Sequence, residues 1–410
     1  MSPGIKKLLM ADKYICHKSL GEGSYGEVTL VRLTTGSVGK LLARKVTKGK
    51  ARDLSDDFVR EFGILEKISL SSQPSTRLVQ MVAIELQQTR NGIWHTSLFT
   101  PFFMNGNLHS YLRKNGSTMT LRNCRYMVSD VLQMLEQLRS LEILHRDFKP
   151  SNIVVSSGLR LYLVDFGSAV EFKHRMAHTG RNLTTAIVRA PEVVCNATNY
   201  AYGIDVWAAG VVIWTIFMGG STMFPELHSR NVRQRRGQVP FHFKAIWKIL
   251  GTSIRKSDTM VVRRSEAPVF DCLKTYPARQ RTIHNVFYKR LKTAAKEGLV
   301  QRPSDGIMRE MCALVTKMMW WLPSSRLIVS RKSQWRERVR FLQCPDGEAI
   351  HPRVSKKPVP LFAEFYGFCD ISMATLSPKH KLTGKKREKG GERVKRILKN
   401  KRIKHDYIKH

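Results

Sequence analysis

A glycine-rich segment near the start of the chain has residue types and spacing suited to holding phosphate. It reads Gly21-Glu22-Gly23-Ser24-Tyr25-Gly26-Glu27-Val28. Because glycine has no Cβ atom, backbone N–H groups in such a run approach phosphate oxygens closely. A dinucleotide-binding turn has the same glycine spacing but opens a helix. Here the chain continues as the strand-like Thr29-Leu30-Val31, which favours a loop between two strands.

A lysine and a carboxylate follow that could complete such a phosphate site. Lys45 lies 17 residues after Val28, on a strand predicted over residues 40–46. It would reach the α- and β-phosphates of a nucleotide if a carboxylate held it in place. Glu61, on an amphipathic helix predicted over residues 55–69, is the obvious partner. A lone strand lysine is usually a solvated surface group, so this assignment depends on the other motifs.

Three further motifs occur in the middle of the chain. They are His145-Arg146-Asp147-Phe148-Lys149-Pro150-Ser151-Asn152, then Asp165-Phe166-Gly167, then Ala190-Pro191-Glu192. With these motifs in this order, residues 14–345 resemble the eukaryotic protein kinases. A lysine two residues after the aspartate is typical of the serine/threonine class. The resemblance implies an α+β, bilobal protein-kinase fold, with a small β-rich N-lobe containing one helix and a larger, mostly α-helical C-lobe.

The resemblance also implies a role for each polar motif residue. Asp147 would accept the proton of the attacking hydroxyl, and Lys149 would place positive charge beside the γ-phosphate. Asn152 and Asp165 would bind Mg²⁺, or Mn²⁺, with ATP. Lys45 would contact the nucleotide phosphates. The expected activity is therefore transfer of the γ-phosphate of ATP to Ser or Thr hydroxyls of protein substrates.

The remaining site assignments follow from the same resemblance. Aligning residues 99–106 with kinase hinges puts Thr100 at the gatekeeper position, with the Pro101 carbonyl and the Phe103 N–H facing the adenine. The expected nucleotide contacts are Leu20, Gly21, Glu22, Gly23, Ser24, Tyr25, Gly26, Glu27, Val28, Ala43, Lys45, Pro101, Phe103 and Val154. The expected supporting residues are Glu61 for Lys45, Thr185 for Asp147 and Lys149, Glu192 paired with Arg326, and Asp205 beneath the catalytic loop.

Two segments indicate a branch of this family. Residues 185–192 resemble the T-x-x-Y-R-A-P-E ending of cyclin-dependent kinases, although Val188 replaces the common tyrosine. Residues 243–252 also resemble that group. A basic insert and a basic tail are foreign to its minimal members. The combination is similar to the divergent kinases of large DNA viruses, herpesvirus-like ones among them, which makes the chain a candidate viral protein.

The predicted elements divide the chain into regions. Residues 1–13 are an N-terminal extension, and the kinase domain over 14–345 has an N-lobe over about 14–103 and a C-lobe over about 104–345. Strands are predicted over 28–33, 40–46, 78–86 and 93–99, and helices over 122–141, 204–217 and 308–321. Residues 219–303 read as a basic, irregular insert. Residues 346–410 form a C-terminal extension with a basic tail over about 377–410.

Composition narrows the class of protein. The 410 residues include 70 Lys and Arg against 32 Asp and Glu, a formal charge of +38, which favours acidic partners. Seven scattered cysteines without a C-x-x-C pair argue against a zinc knuckle or a disulfide framework. The apolar runs are too short for a signal peptide or a membrane span. We therefore expect an intracellular protein; its oligomeric state is left open.

The basic tail and the net positive charge are also consistent with other functions. Residues 379–410 contain fourteen Lys or Arg and three acidic residues. The clusters 385–387 and 399–402 resemble nuclear-localisation sequences, so we expect nucleic-acid or importin binding and a nuclear or nucleo-cytoplasmic location. A solubilising tail without a partner is the simpler alternative. For the whole chain, the alternatives are a pseudokinase scaffold, which the intact motifs disfavour, and a basic nucleic-acid-binding protein.

Overall fold

The computed structural model describes most of the chain up to Gln343, and every structural statement below concerns those residues. They are residues 14–23, 26–34, 39–47, 55–71, 76–88, 94–172, 185–197, 200–227, 239–252, 267–329 and 339–343. They fall into two compact units. The β-rich unit contains the described residues from 14 to 71 and from 80 to 102. The helical unit contains residues 76–79 and those from 103 onward.

The β-rich unit is a five-stranded antiparallel sheet with the strand order β1-β2-β3-β5-β4. Its strands are β1 (Tyr14–Gly23), β2 (Gly26–Leu33), β3 (Leu41–Thr47), β4 (Ala83–Gln88) and β5 (Trp94–Pro101). One face buries a cluster that includes Val31, Leu42 and Phe99. Since successive side chains alternate between faces, Ala43 and Lys45 share the face opposite Leu42.

A single helix, α1 (Asp56–Leu70), accompanies the sheet within one residue of the predicted bounds. The Ser55 side chain caps it by accepting a hydrogen bond from the Phe58 N–H at 3.2 Å. Phe58, Phe62, Leu65 and Ile68 recur at helical spacing and are buried. Burial of this stripe stabilises α1 far more than helix propensity does, because short isolated helices are marginal in water.

The helical unit is built around α5 (Gly203–Phe217), which is apolar on all sides. Its Trp207 and Trp214 are fully buried. At Gly210 a Cβ atom would lie 2.9 Å from the Met319 Sδ, so glycine permits the close approach of α5 to the chain segment that contains Met319. The helices of this unit are α2 (Leu108–Asn115), α3 (Leu121–Ser140), α4 (Pro191–Val194), α5 (Gly203–Phe217), α6 (Val239–Leu250), α7 (Ala267–Lys274), α8 (Ile283–Lys296) and α9 (Asp305–Met318).

Four short strands carry the segments that hold the polar motifs. β7 (Ile153–Val155) pairs with β8 (Leu161–Leu163), and β6 (Ile143–Leu144) pairs with β9 (Val170–Glu171). These pairings bring the loop after β6 and the loop after β8 to the same side of the unit. The motif residues of both loops therefore lie close together. No helix among the described residues is long and apolar enough to cross a bilayer.

Two expectations from the sequence were wrong. The described parts of residues 219–303 are not irregular, because they include α6, α7 and α8. In α8 the buried Ile283, Phe287 and Leu291 form a narrow stripe that the many basic neighbours obscure in the sequence. The strand predicted over 78–86 begins only at Ala83. Leu78 instead forms a parallel bridge with Leu163 and belongs to the helical unit.

Candidate active site

The carboxylate of Asp147 is fixed by hydrogen bonds at both oxygens. The Thr185 hydroxyl donates to Oδ1 at 2.7 Å, and the Thr185 N–H donates to the same atom at 3.2 Å. The Lys149 Nζ donates to Oδ2 at 2.6 Å, and the Asn152 Nδ2 donates to it at 3.1 Å. Lys149 also donates to the Thr185 hydroxyl at 2.9 Å. The predicted contact of Thr185 with Asp147 and Lys149 is therefore present.

Asp205, in the first turn of α5, supports the backbone of this loop from below. Its Oδ2 accepts from the His145 N–H at 2.8 Å, and its Oδ1 accepts from the Arg146 N–H at 3.0 Å. Arg146 has a φ of 65°, a left-handed conformation that costs a non-glycine residue free energy. Complete burial raises the pKa of the Asp205 carboxyl, whereas His145 and the two backbone N–H groups lower it. The expected bracing contact is thus observed.

Asn152 and Asp165 are held beside each other by the backbone. The Val164 N–H donates to the Asn152 carbonyl at 2.9 Å, which ties the residue before Asp165 to Asn152. The Asn152 Nδ2 donates to the Asp147 carbonyl at 3.0 Å as well as to its side chain. Asp165 is left-handed, with a φ of 61°, and a short 3₁₀ turn follows it. Phe166 in that turn packs edge-on against His145, with ring centroids 5.1 Å apart.

In the β-rich unit, Lys45 and Glu61 form the predicted ion pair. The Lys45 Nζ lies 2.7 Å from the Glu61 Oε1. Their side chains are 15% and 6% exposed, so water screens the pair only weakly. In β3, Lys45 lies opposite Val28 of β2 and Leu98 of β5. The sheet and α1 thus determine the position of the ammonium group.

The predicted nucleotide contacts are divided between the two units. The glycine-rich segment is the end of β1 and the start of β2, where Gly23 pairs with Gly26. Ser24 and Tyr25 lie outside the described residues. Pro101 ends β5 opposite Leu42, next to the pair of Ala43 with Thr100. In the helical unit, Phe103 packs on Tyr162, which pairs with Val154.

A buried ion pair anchors α4 to the end of the helical unit. Arg326 Nη1 and Nη2 donate to the two Glu192 carboxylate oxygens, each at 2.7 Å. Both side chains are 1% exposed. Arg326 also donates to the carbonyls of Gly203 and Trp320. The predicted pairing of Glu192 with Arg326 is present in its bidentate form, the strongest arrangement for these groups.

Comparison with known proteins identifies the family. The family model described as "Protein kinase domain" matches residues 14–333. The chain belongs to the protein kinase family. Its β-rich and helical units confirm the predicted α+β fold class.

Curated relatives of the kinase include plant and fungal enzymes. It is 26% identical over 240 residues to mitogen-activated protein kinase 3 of rice, with 58% of this chain and 60% of the relative covered. It is 25% identical to mitogen-activated protein kinase 7 of Arabidopsis thaliana, covering 71% and 73%. It is 27% identical to the CTD kinase subunit alpha of Saccharomyces cerevisiae, covering 50% and 37%. The predicted eukaryotic-type serine/threonine kinase with cyclin-dependent-kinase-like features is thereby confirmed; a viral origin stays a prediction.

The structure of the kinase adds residues that the motifs did not indicate. Asn152 was predicted as a metal ligand, and its amide nitrogen also holds Asp147. His109, Thr215 and Thr222 line a cavity that Lys149 and Thr185 share. No motif contains these three residues, so only the folded chain brings them to the site. The extensions at both ends of the chain lie outside the described residues.

Proposed function

We propose that the chain transfers the γ-phosphate of ATP to Ser and Thr hydroxyls of protein substrates, with Asp147 as the catalytic base. The observation that carries this proposal is the constraint on both Asp147 oxygens by Thr185, Lys149 and Asn152. A carboxylate held at both oxygens accepts a substrate hydroxyl in one orientation, which is the main requirement for in-line phosphoryl transfer.

The side chains of the helical unit have complementary roles in this reaction. The substrate hydroxyl would donate its hydrogen bond, and then its proton, to the Asp147 carboxylate. Lys149 is already bound to Asp147 and Thr185, so its ammonium group is fixed near the acceptor oxygen. There it would stabilise negative charge that develops on the transferring group without reorganising first.

Asn152 and Asp165 fit a site for Mg²⁺ or Mn²⁺. The amide nitrogen of Asn152 is used by Asp147, while its Oδ1 accepts no hydrogen bond from the described residues. The Asn152 Oδ1 and the Asp165 carboxylate are the hard oxygen ligands that Mg²⁺ prefers. When bound, the ion would neutralise phosphate charge and orient the phosphates.

The β-rich unit would supply the nucleotide phosphate contacts. Lys45 is oriented by Glu61 and carries the positive charge for this role. At Gly21 a Cβ atom would meet no described atom within 4 Å, so none of the described neighbours requires glycine there. The absence of a Cβ atom would leave room for phosphate to approach the backbone closely. In this unit the adenine ring would contact Leu20, Val28 and Ala43, with a hinge contact from Pro101.

A kinase assay with matched variants tests this proposal. Purified chain with ATP and Mg²⁺ should phosphorylate Ser or Thr in a peptide library. Lys45→Met and Asp165→Asn should each lower kcat/KM at least about 100-fold. Lys18→Met removes an exposed lysine from the same unit and should change it less than about twofold. Folded wild-type chain without phosphate transfer would refute the activity and favour the pseudokinase scaffold.

The basic tail supports a separate proposal about location. We propose that residues 377–410 bind importin-type acidic grooves or nucleic acid and direct the kinase to the nucleus, because of their fourteen basic residues. Deleting 377–410 should reduce nuclear accumulation and lower the salt needed for elution from heparin, while peptide phosphorylation stays near wild type. Unchanged location and elution would contradict the proposal.

A further inference from the structure

Helix α8 carries a row of exposed lysines along one face. Lys289, Lys292 and Lys296 belong to this row, and the exposed Asn285 lies one turn before them. These positions recur every three or four residues, so they lie within about 60° of one another around the helix axis. The buried stripe of α8 lies on the opposite side of the helix. The lysine row is therefore the outermost part of α8.

The stability of α8 does not account for this row. In the described part of the chain, no side chain forms an ion pair or a hydrogen bond with any of the three lysines. Lys292 lies three residues after Lys289 and four before Lys296, and like charges at these spacings destabilise a helix. The helix dipole favours Lys296 in the last turn, but its effect does not reach Lys289 in the middle of α8. The row is thus a set of uncompensated positive charges that is suited to an external anion.

The length and surroundings of the lysine row favour one kind of anion. The row spans about 10 Å, and one strand of duplex DNA carries about three phosphates over this length. An extended acidic peptide presents carboxylates on one face only about every 7 Å, so fewer of them would meet the row. The exposed large hydrophobic residues of the described chain include none from α8. The row therefore lacks the apolar side chains with which basic helices enter a membrane surface.

We propose that Lys289, Lys292 and Lys296 form a binding surface for the phosphate backbone of duplex nucleic acid. Lysine ammonium groups bind phosphate as point charges, and phosphate contacts contain no base information, so binding is independent of sequence. The formal charge of +38 on the chain favours the encounter. This surface belongs to the folded kinase domain and is separate from the basic tail. The inference does not depend on the proposed phosphoryl transfer.

The salt dependence of DNA binding tests this surface. The dissociation constant of the full chain for a labelled, mixed-sequence DNA duplex is measured by fluorescence anisotropy over a range of salt concentrations. The triple variant Lys289→Gln, Lys292→Gln, Lys296→Gln keeps good helix formers in α8 and removes the row. Each lost phosphate contact changes the slope of log Kobs against log salt by about 0.9, so this slope should become less negative by about 2–3. At about 0.1 M salt the affinity should fall at least tenfold.

A matched control separates the row from the charge of the whole chain. The variant Lys18→Gln, Lys244→Gln, Lys317→Gln removes the same charge from exposed positions on β1, α6 and α9, and it should change the slope by less than about 1. The basic tail is identical in all of these proteins. An unchanged slope in the row variant, equal changes in both triple variants, or no DNA binding by the wild type would overturn the proposal.

Two further measurements cover folding and the choice of partner. The row variant should keep the wild-type Tm, because it removes like-charge pairs from the surface. If its Tm falls, Lys289→Gln alone should still change the slope by about 0.9, and an unchanged slope there counts against the row. Binding to polyglutamate and to phosphatidylserine vesicles is measured with the same variants. A larger loss of affinity for either of these than for DNA would overturn nucleic acid as the partner.

Discussion

Replacing Arg326 by leucine should destabilise the kinase strongly, because it leaves a buried carboxylate without its cation. Glu192 is 1% exposed, and both of its oxygens are bound by Arg326 at 2.7 Å. Removing one partner of such a pair costs about 3–5 kcal/mol. Arg326 also donates to three carbonyls, those of Gly203, Trp320 and Trp321, which would lose their donor. The expected loss therefore lies at the upper end of this range.

Denaturant unfolding followed by circular dichroism measures this loss directly. A loss of about 3–5 kcal/mol corresponds to a Tm lower by roughly 6–20 °C for a unit of this size. Lys274→Leu is the control, since Lys274 pairs with Asp271 at 3.3 Å on the surface, with side chains 75% and 73% exposed. The free energy of unfolding of that variant should stay within about 0.5 kcal/mol of the wild-type value.

The double variant separates the ion pair from simple loss of packing. Arg326→Leu with Glu192→Leu removes both charges, so it should recover part of the stability that Arg326→Leu loses. The double-mutant cycle should give a coupling energy of about 1.5 kcal/mol or more. A loss below about 1 kcal/mol in Arg326→Leu, or additive effects of the two changes, would refute the argument that Glu192 depends on this partner.

Three further changes test other parts of the site. Thr185→Val keeps the shape of the side chain but removes the hydroxyl between Asp147 and Lys149, so kcat should fall about 10–100-fold. Thr185→Ser keeps the hydroxyl and should retain most of the wild-type kcat; an unchanged kcat in Thr185→Val would contradict the role of this hydroxyl in holding Asp147. Asp205→Asn provides one acceptor oxygen where two backbone N–H groups now bind, so the free energy of unfolding should fall by about 1–3 kcal/mol. An unchanged free energy of unfolding would contradict the support of the loop backbone by Asp205. Glu61→Gln removes the charge beside Lys45 and should raise the KM for ATP without changing Tm by more than a few degrees; an unaltered KM would contradict the positioning of Lys45.

The sequence predicted those parts of the site in which a residue type and its spacing are dictated by chemistry. Lys45 with Glu61, Thr185 with Asp147, Asp205 with the loop backbone, and Glu192 with Arg326 all make the contacts expected of them. Each contact joins a motif residue to a partner at a recognisable position. The helix at α1 was also predictable, since Phe58, Phe62, Leu65 and Ile68 repeat with helical period.

Features that depend on distant partners were not predictable in the same way. The apolar run at Leu78 reads as a strand of the sheet, yet its partner is Leu163, 85 positions later. In α8 a narrow apolar stripe is set among basic residues that hide its period. The cavity residues His109, Thr215 and Thr222 belong to three separate segments, and only tertiary folding brings them together. A single sequence contains no signal for such assemblies.

The central claim is that Asp147 directs phosphoryl transfer to protein hydroxyls. Its most direct test is the amount of phosphoserine and phosphothreonine that the wild-type chain and Asp147→Asn form from γ-labelled ATP. Equal Tm values for the two proteins would first show that both are folded. The account predicts label on Ser or Thr with the wild type and at least about a 100-fold slower transfer with Asp147→Asn. Equal transfer by two folded proteins, or no transfer by the wild type, would contradict it.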